Sequence, residues 1–107
     1  MTYSLPEEIK TNPEIEVPVE GIRGWKVGSD HGLVVFFEIQ PGTDLPEHSH
    51  CFQWGVVLEG AIELTIGGDK KVYEPGDPYL IPEGTPHSAR IPDGALAMDY
   101  FSDPSRY

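Results

Sequence analysis

Apolar and polar residues alternate along most of this chain with a period of two. Leu33, Val35, Phe37 and Ile39 are apolar at every second position, which predicts a strand over 33–40 with that face buried. In 61–66, Ala61, Glu63 and Thr65 alternate with Ile62, Leu64 and Ile66, and Gly67-Gly68-Asp69 follows as a hairpin signal. The same reading predicts strands over 22–29, 53–58, 71–74, 79–81, 87–91 and 95–101. Turn residues separate them at Ser29-Asp30-His31-Gly32, Pro41-Gly42-Thr43-Asp44, Glu59-Gly60, Pro75-Gly76-Asp77, Pro82-Glu83-Gly84 and Pro92-Asp93-Gly94. Short strands with turns every eight to twelve residues imply an all-β sandwich or barrel. The chain has no heptads, no helical stripe of useful length and no internal repeat beyond two motifs taken up below.

Composition narrows the picture. The 107 residues make one domain by length, and 12 glycines with 11 prolines, spread between apolar runs, mark turns rather than disorder. Residues 1–20 hold Pro6, Pro13 and Pro18, which oppose helix beyond a single turn and predict an extended arm ahead of a domain over 21–107. Residues 102–107 read as a polar tail. Seven basic against eighteen acidic residues, net −11, argue against nucleic acid and anionic membrane surfaces as partners. No apolar run reaches membrane-spanning length and the start lacks a leader pattern, so the expected location is the cytoplasm. A single cysteine excludes an internal disulfide framework.

Candidate chemistry gathers in two stretches. His48 and His50 are two apart, so on an extended chain both imidazoles point to one side and can share one metal ion. Gln53 is the next residue with a ligating oxygen, and His87 arrives from the Pro82-Glu83-Gly84 turn. Neutral imidazole suits iron, nickel, zinc, manganese and copper, so the expected cofactor is one divalent transition metal ion. His31 has no such neighbours and reads as a turn residue. Tyr79, Tyr73 and Tyr100 are candidates to orient a substrate or supply a proton, against the alternative of packing with the hydroxyl at a rim. Cys51 reads as a small packed residue.

The two stretches resemble the paired motifs of the cupin family. The first is Gly, five residues, His-x-His, three or four residues, Glu, six residues, Gly; Gly42, His48, His50 and Gly60 fit it, with Gln53 in place of the Glu and only two residues after His50. The second is Gly, five residues, Pro-x-Gly, two residues, His, three residues, Asn; Gly76, Pro82, Gly84 and His87 fit it, with Ile91 in place of the Asn. The resemblance covers roughly residues 32–101. It implies a small single-domain cupin β-barrel of jelly-roll topology, a double-stranded β-helix, with the metal near one mouth held by His48, His50, Gln53 and His87. Gln53 either ligates or hydrogen-bonds a bound water or substrate. As a ligand it leaves a divalent site at its full +2 charge, which favours an anionic ligand. Two functions follow: a metal-dependent dioxygenase, isomerase, lyase or decarboxylase acting on a small polar or anionic metabolite, or a non-catalytic module that binds or senses a small molecule through the metal. Tyr79 and Tyr100 are the expected substrate contacts. If Gln53 faces the metal, the alternating Trp54, Val56 and Leu58 face away, and covering that apolar stripe calls for a homodimer.

Overall fold

A computed structural model describes residues 3–107. Among the described residues ten strands form two antiparallel sheets. The larger has the order β1-β2-β3-β10-β5-β8 and the smaller β4-β9-β6-β7. Their ranges are β1 Glu14–Ile15, β2 Ile22–Ser29, β3 Gly32–Ile39, β4 Thr43–His48, β5 Gln53–Gly60, β6 Ile62–Ile66, β7 Asp69–Tyr73, β8 Pro78–Ile81, β9 His87–Ile91 and β10 Ala95–Phe101. The periodicity located eight of these strands with ends shifted by at most two residues. It missed β1, which has two residues, and β4, where Pro46 and four polar residues mask the alternation.

The alternation sets the layering. On β3, Leu33, Val35 and Phe37 are buried as expected, and Ile39 is half-buried. Inward side chains form two clusters, the first joining the two sheets and the second lying along the larger sheet alone. One joins Val57, Tyr79, Ile81 and Ala97 to Ile62, Leu64, Ala89 and Ile91; the other is Ile15, Leu33, Val35, Phe37 and Phe101. Each residue turned inward removes its apolar surface from water at about 25 cal/mol per Å2, the main force closing the sandwich.

A third cluster lies outside. Leu5 packs with Trp25 and Leu96 on the outer face of the larger sheet. The first residues of the predicted arm are therefore folded back on this chain's own sheet, through a 3-10 turn over Ile9–Thr11. Met1 and Thr2 of that arm lie outside the described residues. Buried Glu38 holds the segment: its Oε2 accepts from the Leu5 amide at 2.8 Å and pairs with Lys10 Nζ at 2.7 Å. Its carboxyl sits below the usual carboxylate range: burial, the largest influence, pushes it up, but the bonds from Lys10, Leu5 and Ser4 together outweigh it. Among the described residues no helix is long and apolar enough to cross a membrane.

Candidate metal centre and cavity

His48 owes its direction to a bulge. Thr43 and Leu45 of β4 pair with Ile91 and Ala89, then the register shifts and His48 pairs with His87. Three residues of β4 thus face two of β9. Without the extra residue Glu47 would take the inward phase and His48 would point to solvent. Pro46, which has no N–H to give a ladder, sits inside the irregularity. His50 follows on the connecting loop, and the Gly84 amide donates to its carbonyl at 2.9 Å. Gly84 has φ +74°, a conformation that side chains rarely adopt. The turn that delivers His87 is in this way tied to the segment that carries His50.

The three rings converge. Their centroids lie 5.2 Å apart for His48 and His50, 4.2 Å for His48 and His87, and 4.8 Å for His50 and His87. One ligand nitrogen from each lies within 4.8 Å of the others. Each Nδ1 is committed to a backbone carbonyl: His48 to Pro46 at 2.8 Å, His50 to Cys51 at 2.9 Å, His87 to Thr85 at 2.9 Å. A carbonyl only accepts, so Nδ1 carries the proton in all three and each Nε2 keeps its lone pair. His87 Nε2 is buried with no hydrogen-bond partner, a group that demands an occupant. Burial, the largest influence, lowers His50 to about 4, and Arg106 and the other two imidazoles add to it. His87 is lowered mainly by burial as well. These two rings are neutral near pH 7, the form that binds metal. The donor set fits a divalent transition metal ion.

Gln53 is buried in the same cavity, and its amide nitrogen donates to Asp99 Oδ2. The amide oxygen is the end left available to a metal. Tyr79 also faces inward and its hydroxyl donates to Asp99 Oδ1 at 2.5 Å. Asp99 was not among the expected site residues, yet it is central to this one. Burial raises its carboxyl to about 7, against the pull of the bonds from Tyr79 and Gln53. The Tyr79 hydroxyl is itself raised, first by burial and then by the Asp99 charge. The signal lay in the alternation of β10: Ala95, Ala97, Asp99 and Phe101 share the inward phase, and an acid in an otherwise apolar register is out of place unless it serves a site. The same alternation corrects Tyr100. It turns to the outer face, where its hydroxyl donates to the His31 carbonyl at 3.1 Å, and it takes no part in the cavity wall. Tyr73 packs edge-on against Tyr79 and is also absent from that wall.

Residues 102–107 are no free tail. Asp103 accepts from the Ser105 amide and hydroxyl at 2.9 and 2.7 Å, and the Arg106 amide donates to the Asp103 carbonyl at 3.1 Å. This tight turn around Pro104 folds Arg106 and Tyr107 back over the opening. Tyr107 packs edge-on against Phe37 and Phe101. The Arg106 guanidinium lies 4.4 Å from the Tyr107 ring centroid, and its Nε is buried with no partner. The cavity measures about 320 Å3.

A family model described as "Cupin domain" matches residues 35–101. No curated protein matches the chain. Among solved structures, an RmlC-like cupin from Shewanella frigidimarina is 26% identical with a TM-score of 0.80, over 97% of this chain and 91% of its own. KdgF from Halomonas sp. is 28% identical with a TM-score of 0.79, over 91% of this chain and 92% of its own. Oxalate decarboxylase from Bacillus subtilis, which has Mn(II) centres, is 22% identical with a TM-score of 0.76; the match covers 92% of this chain but 29% of that one, and bears on the fold alone.

Proposed function

The chain belongs to the cupin family, and from that premise we propose that it is a metal-dependent enzyme that moves a proton on a small anionic metabolite, as an isomerase or lyase does. One juxtaposition carries the reading: a buried carboxyl titrating near neutrality shares a cavity with three imidazole lone pairs and an unpartnered guanidinium nitrogen. His48, His50 and His87 would hold the ion, with the Gln53 amide oxygen as a fourth ligand. The bound ion would polarise the oxygens of an acid and make an adjacent C–H more acidic.

The remaining work falls to the chain's own residues. Arg106 binds the carboxylate of the metabolite through its free Nε, the strongest class of hydrogen bond in a partly buried site. Asp99 takes and returns the proton, since a group titrating near the working pH does both efficiently. Tyr79 and Gln53 hold its two oxygens in place. The apolar wall excludes water that would compete for the proton.

The quaternary proposal is a symmetric dimer. Across the outer face of the larger sheet, the register lines up Val27, Val34, Tyr100, Trp54 and Leu80 in one row. Trp54, Leu80 and Val27 are 37%, 54% and 49% exposed, and a second copy would cover them.

The test of the catalytic reading is exchange of the protons next to the carbonyl of pyruvate in D2O, followed by NMR with metal-loaded protein. Exchange should be accelerated by the wild type, lost in Asp99→Asn with pyruvate binding retained, and weakened through binding in Arg106→Gln. Pyruvate binding without exchange in the wild type would instead favour a binding module. Elemental analysis of protein purified without a metal-affinity step identifies the ion.

A further inference from the structure

The two ends of the cavity differ in kind. The histidine end holds the three imidazole Nε2 atoms with Arg106 close to His50, and Gln53 lines the same cavity. Beyond Asp99 and Tyr79, the wall changes. The smaller sheet contributes Leu64 and Ala89, which face each other in the register of β6 and β9. The larger contributes Phe37 and Ala97, which pair between β3 and β10. Asp99 and Tyr79 themselves are bonded to each other, and the second Asp99 oxygen is taken by Gln53. Glu47 is exposed at the rim, which among the described residues leaves the Tyr107 hydroxyl as the one further polar side-chain group along the wall.

The space has an identifiable origin. Sheets packed face to face normally fill the gap between them with interdigitated large side chains. Here Ala89 and Ala97, on opposite sheets and 6% and 1% exposed, leave room that a leucine at either position would occupy. At about 30 Å3 per water-sized group, a volume of about 320 Å3 takes about ten non-hydrogen atoms. That exceeds what a metal-bound carboxylate alone requires.

We propose that the metabolite is a compact carboxylate with an alkyl or aryl body, its acid group at the histidines and Arg106 and its body in the apolar chamber beside Ala89 and Ala97. The site selects against polyhydroxylated acids, because hydroxyls placed in the chamber lose their bonds to water and find almost none in return. This rests on the reading of the histidine end as a metal and anion site.

The test is calorimetric binding to full-length protein loaded with Zn2+, using pyruvate, 2-oxobutanoate, 2-oxopentanoate and 2-oxohexanoate, with erythronate, which has as many non-hydrogen atoms as 2-oxohexanoate, as the polyhydroxylated comparison. Affinity should rise about fourfold per methylene, on the order of 60-fold across the series, and erythronate should bind more weakly than 2-oxohexanoate. Ala97→Leu should bring 2-oxohexanoate down towards pyruvate while leaving pyruvate unchanged. Ala89→Leu fills the chamber from the other sheet and should do the same; circular dichroism confirms that each variant is folded. A flat series in the wild type, or erythronate binding more tightly than 2-oxohexanoate, overturns this inference alone. Failure of every acid to bind the Zn2+-loaded protein, pyruvate included, overturns the anion reading and this inference with it.

Discussion

Asp99→Asn separates stability from chemistry in a single substitution. The carboxyl titrates near 3.8 in the open chain and about 7 in the fold, because burial disfavours its charge more than Tyr79 and Gln53 stabilise it. The sign follows from proton counting. Between those two values the folded protein holds a proton that the unfolded chain has released. The contribution of Asp99 to stability is therefore complete below 3.8 and is lost as the pH rises through about 7. At about 1.4 kcal/mol per pH unit, the stability lost relative to low pH is on the order of 4 kcal/mol above pH 7, and about 1 kcal/mol at pH 4.5. Asparagine has the same shape and no charge. The metal-free variant should therefore gain about 3 kcal/mol relative to the metal-free wild type between pH 4.5 and 7.5. With a urea m-value of about 1.5 kcal/mol/M, that moves the difference between their midpoints by about 2 M. His50 and His87 work in the opposite direction, adding stability above 6.5 that is lost as the pH falls towards about 4 for His50. They are common to both proteins and cancel in the comparison. Proton-transfer activity should meanwhile fall by about 10²–10⁴. Identical pH dependence in the two proteins would refute the argument, because it would mean that Asp99 ionises as freely inside the fold as outside it.

Replacing His48 and His50 together with alanine should abolish metal binding and leave the apolar core folded; equal metal content in the variant by elemental analysis would refute the ligand assignment. Gln53→Glu should destabilise the metal-free protein at pH 7.5 by about 1–3 kcal/mol in urea melts, since the amide that donates to Asp99 becomes a second carboxylate against it. Gly55→Ala should cost about 1–3 kcal/mol by overpacking, because an added Cβ would overlap the Tyr79 ring and Asp99 Oδ1; an unchanged thermal midpoint would show that the cluster has slack. Light scattering at micromolar concentration should report a dimer, and Trp54→Glu should shift it to monomer; a monomeric wild type would refute the proposed interface.

What could be read from the chain alone was what local physics controls. A strand turns alternate side chains to opposite faces whatever surrounds it, so the period of two located eight strands and set Gln53 and Trp54 on opposite faces, of which the fold buries the Gln53 side. Turn chemistry is equally local, and the spacing of His48, His50 and His87 identified three groups that the fold brings within 4.8 Å. Tertiary structure decided the rest. His48 points inward only because β4 bulges against β9, a property of the pair that neither strand shows by itself. Asp99 meets Gln53 and Tyr79 because β10, β5 and β8 are neighbours in one sheet, although 46 and 20 residues separate them in the chain. Arg106 reaches the cavity because the Asp103 turn folds back, and what makes it a binding group is the buried opening it returns to. The apolar chamber is furthest from the sequence. Ala89 and Ala97 look unremarkable on their own strands, and they create space only because the two sheets set them on opposite walls of one cavity, where no larger side chain fills the gap.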